Sequence, residues 1–428
     1  MQQLKCFLII SPHIPPINGA DMHRVRQSLW YFKELGWKPT VVSVNEKDIE
    51  GMVCEPLLMF SIPNDINIIK VSALSYAWTR KIGLGALALR SLPFYFFKVN
   101  QLLKNNKFEF VYFSTTLFPL MILGRYWKWR FKIPYIIDMQ DPWHSTYYQD
   151  KPKAERPKKY WFSYNLNKFL EPIAMKGCDG LISVSEAYIT ELRKRYQNLL
   201  TKPASVLTFG AFAKDLEIAK GVHSTDILEE GTHKNIVYVG RGGFDMQPAL
   251  SLIFSAFKIG LTEQPELYQQ FRFVFVGTSY APKGQGKKTI EPVADKEGIS
   301  GYVREYTDRV PYFEGLSLLL QADLLFIPGS DDPAYTASKL YPYILAKKPL
   351  LGIFHSASSA KGILEDTHAG KVCTLDTPIK KVYKELDTIL KTIIENTYTN
   401  KTNWTLFEKY SAMEMTKKQV EIFNLVVN

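Results

Sequence analysis

The sequence predicts an α/β protein built from two Rossmann-like domains that face a central cleft. Three observations lead to this prediction. The first 45 residues alternate in the order strand, loop, helix, strand. The alternation recurs as far as residue 210, and a second series starts at residue 235 with a strand that enters a glycine-rich turn. This pattern is typical of doubly wound parallel sheets, whose ligands bind beyond the carboxyl ends of the strands.

Short apolar or β-branched runs predict the strands of the first domain, and Ser185 is a candidate cap for the helix after one of them. The predicted strands are residues 4–10, 40–44, 108–113, 134–138, 180–184 and 206–207, and the predicted helices are residues 21–35 and 185–196. The first domain is therefore expected to span residues 1–210.

The second domain repeats the pattern after a stretch without periodicity. We expect a linker at residues 211–234, a domain at residues 235–405 and a final helical segment at residues 406–428. The predicted strands are residues 235–239, 271–276, 324–328 and 350–354. Three helices are predicted. One starts near residue 247, where Pro248 suits the first turn, and the other two cover residues 312–321 and 338–346.

The length and composition agree with two folded domains. The chain has 428 residues, of which 46% are hydrophobic and 22% are charged, and this excludes a disordered or low-complexity protein. Its four cysteines form no C-x-x-C pair, so we expect no metal site and no disulfide framework.

The apolar run at the amino terminus stops at Ser11-Pro12, which is too early for a signal peptide. The longest uncharged stretch, residues 110–124, is shorter than the roughly 20 residues of a spanning helix. We therefore expect a cytoplasmic protein without a membrane-spanning segment.

The formal net charge of +11 is concentrated in residues 76–135. This segment holds ten Lys and Arg residues, sixteen aromatic residues and a single acid, Glu109. Cations mixed with aromatic rings suit the headgroups of anionic lipids and predict a peripheral contact at the inner membrane face. An equally weighted interpretation makes the rings core and the cations a solvated face. Nucleic-acid binding ranks third, because no known module signature is present.

Two loops of the second domain are candidate phosphate sites. Gly240-Arg241-Gly242-Gly243 lies between a strand and a helix, where glycines let a ligand approach the backbone and Arg241 supplies a charge. The second loop leads into a predicted helix start, where Thr336, Ser338 and Lys339 are candidate anion-binding residues. Either loop alone is also compatible with an ordinary tight turn or helix cap.

Two loops of the first domain are candidate acceptor sites. His13 and Gly19 lie in a proline-rich loop after the first strand, and Gly19 allows close approach of the backbone to a ligand. Asp138, Asp141 and His144 follow a later strand and supply carboxylates and an imidazole able to position or deprotonate a hydroxyl. Asp141 before Pro142 is equally compatible with a turn, and His144 with a surface histidine.

Five motifs, in this order along the chain, resemble those of the GT-B glycosyltransferases of family four. They are Pro15-Pro-x-x-Gly19, Asp138-x-x-Asp141-Pro-Trp143, Ile182-Ser-Val-Ser185, Val239-Gly-Arg-Gly-Gly243 and Ser338-Lys-Leu-Tyr-x-Tyr343. The resemblance spans essentially the whole chain. It implies an acceptor-binding first domain, a nucleotide-sugar-binding second domain, a last helix that returns to the first domain, and no essential metal.

The resemblance assigns Arg241 to the donor diphosphate, Gly19 to the acceptor-side loop, and Ser338 and Lys339 to the segment beside the diphosphate and the ribose. The sequence departs from the family at a lysine that usually follows the arginine and at two glutamates spaced eight apart. Met246 and Gln247 occupy the region of the lysine, and Ala334 and Pro342 occupy the positions of the earlier and the later glutamate. Asp331 and Asp332 are therefore candidates for contacts to the sugar or ribose.

The resemblance implies a hexosyltransferase-type enzyme that moves a sugar, with retention, from a UDP-sugar or GDP-sugar to a hydroxyl of a glycan or lipid-linked glycan in surface polysaccharide biosynthesis. The nucleotide sugar is a substrate, and no cofactor is expected. The catalytic candidates are Asp141, Arg241 and Lys339. Two other classes stay open: a sugar-nucleotide epimerase or hydrolase of the same architecture, and a non-catalytic nucleotide-sugar-binding subunit.

Overall fold

A computed structural model describes residues 3–145, 149, 160–222, 227–228, 231, 233–332 and 340–428. The chain divides into two compact units. Met1–Gly210 and Ala412–Asn428 form the first unit, and Ala211–Ser411 forms the second. Each unit contains its own parallel sheet with helices packed on it, which confirms the predicted α/β class with two Rossmann-like sheets.

The first unit contains nine strands and seven helices among its described residues. In chain order the strands are β1 (Lys5–Ile10), β2 (Ile17–Asn18), β3 (Trp37–Val44), β4 (Val53–Cys54), β5 (Asn67–Val71), β6 (Val111–Ser114), β7 (Tyr135–Met139), β8 (Gly180–Ser183) and β9 (Ala204–Val206). Its first six helices are α1 (Met22–Ser28), α2 (Tyr76–Thr79), α3 (Leu87–Asn105), α4 (Ile122–Phe131), α5 (Tyr160–Met175) and α6 (Glu186–Arg195). Seven strands form a parallel sheet in the order β5-β3-β1-β6-β7-β8-β9, and β2 pairs antiparallel with β4.

Burial explains why these runs form strands. Parallel strands are covered on both faces, and Phe7 to Ile10 of β1 are fully buried. The predicted cap of α6 is confirmed, because the Ser185 side chain accepts a hydrogen bond from the Ala187 N–H at 3.3 Å. The predicted helix at residues 21–35 is shorter than expected. The helix ends at Ser28, and the chain after it forms turns. In that turn segment the Trp30 indole N–H donates to the Ser61 carbonyl at 2.7 Å.

The second unit contains six strands: β10 (Lys234–Val239), β11 (Phe271–Val276), β12 (Val303–Tyr306), β13 (Leu324–Pro328), β14 (Leu350–Phe354) and β15 (Lys371–Thr374). They form a parallel sheet in the order β12-β11-β10-β13-β14-β15. Its helices are α7 (Ala213–Ala219), α8 (Gln247–Glu263), α9 (Pro265–Tyr268), α10 (Glu291–Glu297), α11 (Tyr312–Gln321), α12 (Leu340–Leu345), α13 (Ser359–Thr367), α14 (Ile379–Ile394) and α15 (Trp404–Phe407).

The structure corrects the linker expected at residues 211–234. This stretch contains α7, which packs on α11 of the same unit. The Tyr312 hydroxyl donates to the Asp215 carboxylate at 2.7 Å, and the Ser317 hydroxyl donates to the Val222 carbonyl at 2.6 Å. The described part of the stretch is therefore integrated in the second unit.

The last helix, α16 (Ala412–Val427), belongs to the first unit. Its Phe423 ring lies 4.7 Å from the Phe110 ring and 5.3 Å from the Phe7 ring, centroid to centroid. The Gln419 amide also donates to the Ser28 hydroxyl at 2.7 Å. The helix therefore completes the core on one face of the first sheet, while α3, α4 and α5 cover a separate core cluster.

None of the described helices, taken singly, has both the length and the apolar composition that crossing a membrane requires. Two consecutive segments, Tyr76–Ile82 and Leu87–Asn105, meet those criteria only as a pair, and they are bent by 117° relative to each other.

Candidate functional site

Each sheet has one pair of neighbouring strands from which the chain proceeds in opposite directions, and ligands bind beside such pairs in folds of this kind. The pair is β1 and β6 in the first unit, and β10 and β13 in the second. Three of the predicted loops begin at the carboxyl ends of these strands. They follow β1 at residue 11, β10 at residue 240 and β13 at residue 329.

His13 and Asp21 form a buried pair beyond β1. The Nδ1 atom of His13 lies 2.8 Å from Oδ1 of Asp21. The other oxygen of Asp21 accepts hydrogen bonds from the Thr115 hydroxyl at 2.8 Å and the Thr116 N–H at 3.3 Å, just beyond β6. Burial alone would raise the pKa of Asp21. The larger opposing effect comes from the hydrogen bond and charge of His13 and from the hydrogen bonds of the two threonines, so the pKa lies below 3.8.

This arrangement orients the imidazole of His13. A carboxylate on Nδ1 sets the tautomer that leaves Nε2 as a proton acceptor, and no described residue hydrogen-bonds Nε2. Gly19 makes room for the pair, because a Cβ there would lie 3.0 Å from Oδ1 of Asp21 and 3.1 Å from Cβ of His13. The sequence placed His13 and Gly19 in one loop but missed Asp21, which follows eight residues after the histidine.

Asp138 is not available to an acceptor, which corrects its predicted role. It is fully buried in β7, and its Oδ2 accepts hydrogen bonds from Arg24 at 2.7 Å, Ser114 at 2.9 Å and Gln140 at 3.0 Å. Arg24 also donates to the Leu207 carbonyl at 2.7 Å. Asp138 therefore ties β6, β7 and α1 together from inside the unit.

Asp141 is exposed at the surface, two residues after β7. Partial desolvation and then the negative charge of Asp21 raise its pKa above 3.8. A carboxyl group with a raised pKa near a second carboxylate is suited to proton transfer. Of the three polar residues predicted on this loop, Asp141 is the one that the structure leaves both accessible and electrostatically coupled to the His13 pair.

His144 belongs to a different cluster, contrary to the prediction. Its backbone N–H donates to the buried carboxylate of Glu171 at 3.0 Å, and Nδ1 lies 3.3 Å from Arg195. Burial and then the charge of Arg195 lower the pKa of His144 below 6.5. The imidazole is therefore neutral at neutral pH and is held between α5 and α6.

The loop after β10 is closely packed at its glycines. The N–H groups of Gly240 and Gly242 donate to the Val276 carbonyl at 2.9 Å and the Thr278 carbonyl at 2.8 Å, so neither is a phosphate donor as the sequence predicted. Among the described residues, the N–H of Gly243 is bonded to none. A Cβ at Gly242 would lie 2.7 Å from Oγ1 of Thr289, which explains why only glycine fits there.

Arg241 is paired with a carboxylate that the sequence analysis did not connect to it. Its two terminal nitrogens contact Oδ1 and Oδ2 of Asp245 at 2.9 and 2.6 Å. The hydrogen bond from Arg241 lowers the pKa of Asp245 below 3.8, and a hydrogen bond from Ser330 adds to this effect. Partial burial of Asp245 opposes both but is outweighed. The Arg241 side chain is 26% exposed. An anion binding to Arg241 therefore competes with Asp245.

The same aspartate joins the two loops. The Asp331 N–H donates to the Asp245 carbonyl at 2.9 Å, and the Asp332 N–H donates to the Ser330 hydroxyl at 3.1 Å. Asp331 and Asp332 are exposed, beside the Arg241 loop. The other predicted residues of this segment, Thr336, Ser338 and Lys339, lie outside the described residues.

Glu305 is a further residue of this region, and no sequence signal pointed to it. Its buried carboxylate accepts hydrogen bonds from the Thr278 hydroxyl at 2.7 Å and from the N–H groups of Thr289, Ile290 and Glu291 at 3.1, 2.8 and 3.0 Å. A carboxylate on the free N–H groups at the start of α10 is favoured by the helix dipole. Glu305 thus fixes the segment that packs on Gly242.

Within the described part of the chain, no group of three or more His, Cys, Asp or Glu side chains is arranged to hold a metal ion.

Comparison with known proteins gives the fold. No protein-family model and no curated protein match the sequence. Sucrose-phosphate synthase from Thermosynechococcus elongatus is 13% identical, with a TM-score of 0.55 over 98% of both chains. Anabaena HepE, solved with UDP and glucose, is 14% identical, with a TM-score of 0.55 over 98% of this chain and 99% of that chain. A glycosyltransferase from Rickettsia africae ESF-5 is 13% identical, with a TM-score of 0.56 over 99% of both chains.

At these identities the similarity shows the fold alone. The chain has the fold of the GT-B glycosyltransferases, and the resemblance seen in its motifs is confirmed at that level.

Proposed function

We propose that the chain is a glycosyltransferase that moves a hexose from a UDP-sugar to a hydroxyl group of an acceptor. The observation that carries this proposal is the position of Arg241, on a glycine-rich loop beside the β10 and β13 strand ends. Loops at such positions bind nucleotide phosphates in doubly wound sheets. The same fold in Anabaena HepE was solved with UDP and glucose, which favours UDP over GDP as the nucleotide.

The donor end would work by stabilising the leaving diphosphate. Arg241 presents two parallel N–H donors, the geometry that matches a phosphate, and these donors now contact Asp245. The free N–H of Gly243 lies in the same loop. Donors aimed at the charge that develops on a leaving group lower the barrier to its departure.

The acceptor end would use the His13 and Asp21 pair. Nε2 of His13 would hydrogen-bond the acceptor hydroxyl, with the imidazole oriented by Asp21 and Thr115. In a retaining transfer the leaving diphosphate takes the hydroxyl proton, so the role of His13 would be to position the nucleophile. Asp141 lies close enough to Asp21 for the charge of Asp21 to raise its pKa. A glycan or lipid-linked glycan of surface polysaccharide biosynthesis supplies such a hydroxyl.

A second candidate is a nucleotide-sugar-binding subunit without transferase activity. The specific observation that favours it is the pairing of Arg241 with Asp245, which neutralises the main cation of the donor loop. In the family that the motifs resemble, a lysine is usual where this chain has Met246 and Gln247, and a glutamate is usual where it has Pro342. A subunit of this kind would bind UDP but would not release it in response to an acceptor.

The decisive experiment uses the full-length chain with UDP-sugars and GDP-sugars. Thermal-shift measurements identify the donor, because a ligand at 100 times its Kd stabilises the native state by about 2.7 kcal/mol. We then expect UDP release that depends on an added glycan acceptor, and a loss of roughly 100-fold in kcat for Arg241→Ala. Lys384→Ala, an exposed change on α14, is the control.

Binding of UDP without acceptor-dependent release would establish the binding subunit instead. Release of UDP at the same rate with and without an acceptor would indicate a hydrolase. Wild-type turnover in Arg241→Ala would overturn the proposed donor site.

A further inference from the structure

The outer surface formed by α3, α4 and α5 of the first unit is strongly basic. These three helices contain a single acid, Glu171, and it is fully buried. Their solvent-facing surface therefore presents no carboxylate, while cations are present on every one of them. A surface of one sign attracts ligands or partners of the opposite charge.

A groove of about 770 Å³ lies in this surface. Its apolar walls are formed by Phe96, Ile122, Leu123, Tyr126, Trp129 and Ile173. The rings form a row across α3 and α4, with centroids 4.9 Å apart between Phe96 and Tyr126 and 6.1 Å apart between Tyr126 and Trp129. We call this cavity and its rim the basic groove.

Four cations line the basic groove. Lys128 is neutralised by Asp179, at 2.6 Å. Arg125, Lys132 and Lys176 are exposed and form no ion pair with any residue that the structure describes. Within the described part of the chain, three positive charges at this apolar cavity therefore have no ion-pair partner.

Two large rings of α3 and α4 are exposed to solvent. Phe97 is 70% exposed and Trp129 is 69% exposed, and Phe97 lies against Phe96 at the groove, with centroids 5.3 Å apart. Other rings of the same aromatic-rich segment, such as Tyr95 and Trp127, are fully buried. The aromatic-rich segment therefore contains both core rings and rings exposed to solvent.

We propose that the basic groove binds the phosphate headgroups of an anionic lipid bilayer. Arg125, Lys132 and Lys176 contact the phosphates, while Trp129 and Phe97 insert at the level of the headgroups and the first acyl carbons. This combination is the one that peripheral proteins use, since rings favour the interface and each cation near an anionic surface adds attraction. The aliphatic walls at Ile122 and Ile173 fit acyl carbons better than nucleobases, which stack on rings.

The test is flotation of the full-length chain with vesicles of phosphatidylcholine alone or with added phosphatidylglycerol, in the absence of any sugar donor. We expect flotation only with the anionic vesicles, and loss of flotation in high salt because salt screens the attraction. The combined variant Arg125→Glu, Lys132→Glu and Lys176→Glu should reduce the partition coefficient by at least roughly 100-fold. Trp129→Ala should also weaken binding to anionic vesicles without changing the charge.

The matched control is Lys380→Glu, Lys381→Glu and Lys384→Glu, which makes the same change in charge on the exposed face of α14. Its flotation should equal that of the wild type, and circular dichroism should show that all variants are folded. The proposal is overturned if the wild-type chain does not float with anionic vesicles, or if the groove variant and the α14 control lose binding equally. UDP-sugar binding measured without vesicles should be unaffected by the groove variant, so failure of this proposal can be distinguished from failure of the proposed transferase.

Discussion

Arg241 and Asp245 form a two-pronged ion pair in the loop that follows β10, with N–O distances of 2.9 and 2.6 Å. The backbone of Asp245 also holds the loop after β13 through the Asp331 N–H. Asp245 therefore shapes the predicted phosphate site through its backbone carbonyl and occupies the cation of that site through its carboxylate. A diphosphate reaches Arg241 only by replacing this carboxylate or by sharing the guanidinium with it.

The first prediction concerns that competition. Asp245→Asn should tighten UDP binding by up to about fivefold, because it removes an ion pair that, at a partly exposed position, contributes of the order of 1 kcal/mol. The backbone bond to Asp331 is retained. Isothermal titration with UDP measures the change.

The control is Glu217→Gln, which removes the same charge from an exposed position on α7. Equal affinities of the two variants would show that Asp245 does not compete with the ligand. Weaker binding by Asp245→Asn would mean that the carboxylate orients Arg241 for the phosphate.

The sequence predicted the central strands well and the edge strands poorly. Buried apolar runs such as β11 and β14 appear with the predicted bounds. β5 and β12 were missed, and both lie at the edge of their sheet, where one side of a strand is free and the sequence is less apolar. Arg304, for example, is exposed in the middle of β12.

The same limit applies to the candidate site. The loops after β1, β10 and β13 were predicted because a loop's position follows from strand order. The partners of their side chains were not: for example, Thr115 reaches Asp21 only through the pairing of β1 with β6. Glu305 was missed together with its strand, and its role depends on α10.

A second prediction uses the pKa of Asp21. Because this pKa lies below 3.8 in the folded protein, the unfolded chain binds more protons between the two values. The stabilisation is complete above pH 3.8 and is lost as the pH falls through the lowered value. Asp21→Asn should reduce the free energy of unfolding at neutral pH by about 1.5–3 kcal/mol, and its unfolding should depend less on pH in acid.

Urea unfolding at a series of pH values from about 3 to 7 measures both effects. Asp366→Asn on α13 is the control, since that side chain is 62% exposed and its ion pair with Lys409 spans 4.0 Å. A variant at Asp21 that keeps the wild-type acid dependence would contradict the assignment.

A third prediction separates His13 from His144. His13→Ala should lower kcat by roughly 100-fold with an unchanged Kd for UDP, because the imidazole acts on the acceptor hydroxyl and not on the donor. His144→Ala should leave turnover unchanged and lower thermal stability, because that ring packs on Tyr164 at 4.8 Å in the cluster with Glu171. Steady-state kinetics with the acceptor, paired with UDP titration, distinguish the two. Equal losses of turnover would place both histidines at the acceptor.

The last prediction concerns Glu305, whose side chain connects three segments of the second unit. Glu305→Gln replaces one accepting oxygen by an NH₂ group that faces N–H donors, so at least one buried hydrogen bond is lost and one repulsion appears. We expect a loss of about 2–4 kcal/mol in the free energy of unfolding. Because Gly242 donates to the Thr278 carbonyl, and Thr278 in turn donates to Glu305, UDP binding should weaken as well.

Urea unfolding and UDP titration of Glu305→Gln and of Glu217→Gln provide the comparison. Thr278→Val tests the hydrogen bond between Glu305 and the loop after β11 alone. It removes the hydroxyl that donates to Glu305 but leaves the three backbone N–H bonds at the start of α10. If Thr278→Val weakens UDP binding with little loss of stability, the carboxylate shapes the donor loop through Thr278. If both variants lose stability and retain the wild-type Kd, Glu305 serves α10 alone and the Arg241 loop is positioned independently of it.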